Sequence, residues 1–77
     1  MDGLGITLAE ELLIPKTMNP SGMDMIISKG ARIAMTEKGN VVIYLENGSL
    51  SPQSDLEFSK IIWEKALEQA LNKALGK

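Results

Sequence analysis

The stretch RIAMTEKGNVVIYLENG, residues 32–48, decides the fold. From Arg32 to Thr36 the side chains alternate, so an extended chain turns Ile33 and Met35 to one side and Arg32, Ala34 and Thr36 to the other. Glu37-Lys38-Gly39 suits a three-residue hairpin loop, a type I turn followed by a glycine where φ must be positive. Val41 to Leu45 reads as the strongest strand of the chain, with Val41, Ile43 and Leu45 on the same side as Ile33 and Met35. Asn47-Gly48 predicts a two-residue type I′ turn leading into a short edge strand at Ser49-Leu50. Val42 and Tyr44 fall with Ala34 on the opposite face. That face is apolar enough to be covered by another chain or by the N-terminal segment, unless strand propensity alone placed them there.

Upstream, Met23 to Ile27 is apolar and extended, and Ser28-Lys29-Gly30 is a turn. An antiparallel meander of three or four strands is predicted. Lys16 to Gly22 reads as loop, because Pro20 pushes Asn19 out of helical space. Ahead of it, Thr7-Leu8-Ala9-Glu10 has the S/T-x-x-E spacing of a capped helix start. Leu8/Leu12 and Ala9/Leu13 then lie one helical turn apart, and Pro15 ends the run. A short helix over 8–14 is predicted. The rival reading makes Leu12-Leu13-Ile14 a buried strand, since apolar runs this short carry no decisive period.

Downstream, two helix starts are offered, Ser51 before Pro52 and the capping box Ser54-Asp55-Leu56-Glu57. No glycine or proline follows until Gly76. At about 100° per residue, Leu56, Ile62, Trp63, Ala66, Leu67, Ala70, Leu71 and Ala74 fill half the circumference, with Phe58 and Ile61 outside that arc. Apolar side chains therefore point in two directions. Ala66, Ala70 and Ala74 form a row at intervals of four, suited either to a helix–helix contact between chains or to the domain's own packing. Trp63, at the centre of the arc, is expected to be buried in the core or in a subunit contact.

The predicted architecture is one α+β domain, residues 1–77: a short N-terminal helix, the meander, and a long C-terminal helix. That helix is expected to pack Leu56, Trp63, Leu67 and Leu71 on the Ile33/Met35/Val41/Ile43/Leu45 face of the sheet. With 77 residues, 44% hydrophobic and 23% charged, and a mean hydropathy of +0.01, the chain has the composition of one small globular core. So modest a core would gain from self-association.

Composition also narrows function. The chain has no cysteine and no histidine, which removes thiolate chemistry, the commonest general base and the commonest metal ligand. Eight Lys+Arg against ten Asp+Glu give a net charge of −2 and a pI near 5.0, so no positive field recommends nucleic acid or an anionic membrane. No apolar run is long enough to span a bilayer, and Met1-Asp2-Gly3 lacks a basic leader. A cytoplasmic chain is the expectation.

Chemical motifs are few. Gly3-Leu4-Gly5 lacks the preceding strand a phosphate-binding loop needs. Glu10-Glu11 and Glu64/Glu68 pair carboxylates without completing a cation site, and Lys60 stands one turn from Glu64. No catalytic residue, metal ligand or cofactor site is predicted. Five methionines, four of them between Met18 and Met35, could form an adaptable binding surface or a compliant core lining. Lys29, Arg32 and Lys38, with Lys16 nearby, could present a basic hairpin to a nucleic acid.

The leading expectation is a non-catalytic protein-interaction module, an adaptor, inhibitor or regulatory subunit. It would pair with itself and with another protein through Tyr44, Val42, Phe58, Ile61, Ala66, Ala70 and Ala74. A nucleic-acid-associated protein using Lys29, Arg32 and Lys38 is the alternative.

Overall fold

A computed structural model describes residues 5–76, so Gly3 and Leu4 lie outside the described residues. In chain order the elements are β1 (Gly5–Thr7), β2 (Leu12–Ile14), a single 3-10 turn (Lys16–Met18), β3 (Met25–Ile27), β4 (Arg32–Met35), β5 (Val41–Tyr44), β6 (Leu50–Pro52) and α1 (Leu56–Ala74). Four strands form one antiparallel sheet in the order β1-β4-β5-β6, and β2 and β3 form a separate antiparallel ribbon.

The β4–β5–β6 meander follows from its turns. Thr36 N–H donates to Asn40 O at 2.8 Å and Gly39 N–H to Thr36 O at 3.0 Å, while Gly39 takes the left-handed φ of 92°. The Asn47-Gly48 connection repeats this pattern instead of forming the expected type I′ turn. Leu45 N–H donates to Ser49 O, Gly48 N–H donates to Leu45 O, and only Gly48 has positive φ. A type I′ turn needs positive φ at Asn47 as well. Asn47 stays right-handed and its side-chain oxygen accepts the Ser49 N–H at 2.9 Å, closing the loop from outside.

The N-terminal helix over 8–14 is absent. Leu8 N–H donates to Ala31 O at 2.8 Å and Gly30 N–H to Leu8 O at 2.9 Å, so the backbone beyond β1 continues the ladder with the approach to β4. Leu8 is almost wholly buried. Those cross-strand bonds use the backbone groups that the Thr7/Glu10 box would have started a helix with. The strand reading of Leu12-Leu13-Ile14 holds: Leu12 and Ile14 face the core and Leu13 faces out.

α1 covers the inner face of the sheet. Its cap is Asp55, one residue later than the Ser54 box, with Asp55 Oδ1 accepting Phe58 N–H at 2.9 Å. The core joins Phe58, Ile62 and Ala66 of α1 to Ile33, Val41 and Ile43 of the sheet, with Leu8, Ile14 and Ile27 closing one side. Leu56, Leu67 and Leu71 are exposed instead of meeting the sheet, and Trp63 is half-buried at the margin. Two small side chains explain the rotation. Ser59 and Ala66 let the helix axis approach the strands, which a row of leucines would hold off.

Ser59 is the one buried polar side chain among the described residues. Its Oγ accepts Val41 N–H at 2.9 Å and donates to Gln53 O at 3.4 Å. Asn40 Nδ2 adds donations to Gln53 O and Ser54 O, so the start of β5 and the entry to α1 form one knot. Ser59→Ala strands the Val41 N–H in a dry core. The expected loss is about 1–3 kcal/mol, read as a lower urea midpoint with an unchanged slope.

Candidate interaction surface

The outward arc of α1 carries an apolar row. Leu56, Leu67, Leu71 and Leu75 are 56, 41, 54 and 67% exposed, while Phe58, Ile62 and Ala66 face the core. At 100° per residue the first set is turned by well over 90° from the second. A shallow depression of about 380 Å³ runs along Leu67, Leu71 and Leu75, bordered by Glu64, Glu68 and Asn72. Leu67, Leu71 and Leu75 recur every four residues, the spacing of an i±4 ridge. The repeat is visible in the sequence, but Leu67 and Leu71 turn outward and do not meet the sheet as expected.

The residues expected at an interface are divided by the structure. Phe58 and Ala66 are core residues and cannot meet a partner without unfolding. Ile61 and Ala70 are half-buried, and Ala74 is exposed beside the leucine row. Val42 and Tyr44 lie on the outer face of the sheet, where the Arg32 guanidinium sits 5.5 Å from the centroid of the Tyr44 ring. Arg32 also lies across Gly5, at a place a larger residue's Cβ would occupy. The outer sheet face is thus partly covered by its own arginine.

The structure places Lys29 and Lys38 in different turns. Lys29 stands in the turn before β4 and Lys38 in the turn after it, so a whole strand of four residues, roughly 13 Å, separates the two turns. Arg32 is engaged between them. Met25 and Met35 pack against the core, whereas Met18 and Met23 are exposed, so only the loop pair could serve recognition. Glu68 stands 3.9 Å from Lys65, an exposed i,i+3 pair of little energetic weight.

No protein-family model, curated protein or solved structure matches the chain. Among the described residues, no group of three or more carboxylates could hold a metal ion, and no helix is long and apolar enough to cross a membrane.

Proposed function

We propose that the chain is a non-catalytic protein-interaction module that pairs with a second copy of itself through the outward row of α1. The exposure of Leu56, Leu67, Leu71 and Leu75 on a helix whose other face already fills the core carries this reading. A soluble chain leaves single leucines such as Leu56 in water without consequence, but Leu67, Leu71 and Leu75, one turn apart along one depression, make an apolar strip. An i±4 row packs best against a similar row at an inclined crossing of about −50°. A two-fold axis through such a crossing near Leu71 matches the strip to itself, since symmetric contacts use the same patch twice. The helices diverge on either side of the crossing, which keeps the carboxylates of Glu57 and Glu64 in water. Absence of histidine and cysteine supports the non-catalytic part of the reading, because acid–base and thiolate chemistry lose their usual carriers.

Sedimentation equilibrium at micromolar concentration is the test, with more than one chain per particle expected. A folded, strictly monomeric species across that range overturns the proposal.

A further inference from the structure

A second surface lies on the other side of the Glu68–Asn72 ridge. β2 is paired to β3 on one edge only, so its other edge offers backbone N–H and C=O groups to no strand. Beside it lies a cavity of about 360 Å³, lined by Leu12 and Leu13 and by Lys65, Gln69 and Lys73 of α1. Leu12 is buried and Leu13 is exposed, on opposite faces of β2. A cavity that touches both must run along the strand's edge and not under one of its faces.

The groove continues past the strand. A second depression of about 290 Å³ shares Lys65 and Glu68 with the first and reaches Met18, Ile61 and Glu64. A third, lined by Met18 and Ile61, extends it to Asp55 and Glu57. From Ile61 to Lys73 the helix rises about 18 Å, the length of five or six extended residues.

At one end Gln69 already binds backbone as a neighbouring strand would. Its Nε2 donates to Glu10 O at 3.1 Å and its Oε1 accepts Glu10 N–H at 3.3 Å. The β6 edge is blunted. Gln53 N–H bonds to Val41 O and Ser49 O accepts from Leu45, which turns the intervening Pro52 outward on β6, where it supplies no donor. β2 carries no proline and no charge, only Leu12, Leu13 and Ile14. An edge of that kind is a template for strand addition.

We propose that the groove between β2 and α1 takes an extended peptide of another protein, added antiparallel to β2, with alternating apolar side chains and basic residues toward its amino end. Direction and charge follow from the lining. Glu10 meets Gln69 and Met18 lies by Ile61, so β2 runs against α1 and an antiparallel peptide runs with it. Its amino end then lies by the carboxylates of Asp55, Glu57 and Glu64, and its carboxyl end in the charge-balanced stretch of Glu10, Lys65, Glu68 and Lys73. Main-chain bonds to β2 supply affinity and the Leu12 cavity reads alternate side chains. This extends the interaction reading to residues that self-pairing does not use, so either can fail alone.

The probe is a synthetic peptide, acetyl-Lys-Arg-Val-Thr-Ile-Thr-Val-amide, titrated into nitrogen-15-labelled full-length protein and followed by NMR. Saturable shifts are expected at the Leu12–Ile14 amides and the Gln69 side chain. Methylating alternate peptide nitrogens, which alters no protein residue, should weaken binding about tenfold by removing main-chain donors. Exchanging Lys-Arg for Glu-Glu should weaken it further. The proposal fails if no saturation occurs by about millimolar peptide. It fails equally if shifts gather at Leu67, Leu71 and Leu75, if the methylated peptide binds as well, or if the Leu12–Ile14 amides respond to protein concentration alone.

Discussion

Ile62→Ala is expected to leave most of the protein unfolded in moderate urea and to cost about 2–5 kcal/mol, whereas Leu71→Ala should change stability by no more than about 0.5 kcal/mol. Ile62 is completely buried between α1 and the inner sheet face, so truncation removes transfer energy and leaves a cavity that the strands cannot collapse to fill. At 0.05–0.15 kcal/mol per residue, a chain this size has roughly 4–12 kcal/mol in total. One such cavity consumes a large part of it. Leu71 is 54% exposed and its loss opens no hole. The two variants should be compared by urea denaturation at low protein concentration, where assembly does not add to apparent stability. Equal losses would return the leucine row to the core and remove the ground for self-pairing.

Leu71→Glu tests the assembly itself. At the centre of an inclined crossing the two-fold axis places the new carboxylate twice in one desolvated contact, unpaired and facing its own copy. The dissociation constant should rise by about two orders of magnitude or more, with the far-ultraviolet circular dichroism unchanged because position 71 is exposed in the single chain. Lys29→Glu, in the exposed turn between β3 and β4, changes charge by the same sign away from the row and should leave the assembly intact. A Leu71→Glu protein that sediments like the parent would place the contact elsewhere, with Val42 and Tyr44 on the outer sheet face as the next surface to examine.

What the sequence made legible was the local part of the fold. Gly39 and Gly48 announced their turns, and the alternation through Ile33, Met35, Val41 and Ile43 announced the buried side of the sheet. These features depend on neighbours a few residues away. The Thr7/Glu10 box failed because its partners are distant: Ala31 and Gly30 claim the backbone of Leu8, and no short window contains that competition.

The orientation of α1 failed for a different reason. Summed hydrophobicity favours the arc with the most leucine, yet the side that meets a sheet closely must be lined by Phe58 and Ile62 with small residues between them. Ser59 looks polar in sequence and is among the most buried side chains of the molecule. The overlooked cue was size, a serine and an alanine seven residues apart on the side of closest approach. The same error carried Phe58 and Ala66 into the interface and kept Leu67 and Leu71 out of it. The groove beside β2 was beyond sequence reading, since it forms only where α1 meets the start of β2, Gln69 with Glu10 across 59 positions of chain.

That long clasp, and the placement of α1 after every strand, sets the order in which a growing chain can become protected. β4, β5 and β6 pair with near neighbours and can form as soon as they emerge. β1 must wait for β4, 25 to 29 residues later. The inner sheet face, with Ile33, Val41 and Ile43, has nothing to cover it until Ile62 and Ala66 have been made. Any state in which the hairpin has formed and α1 has not yet docked shows these aliphatic side chains to solvent, the kind of transient surface that aggregates. Docking of α1 is therefore the step that ends this protein's exposure to aggregation.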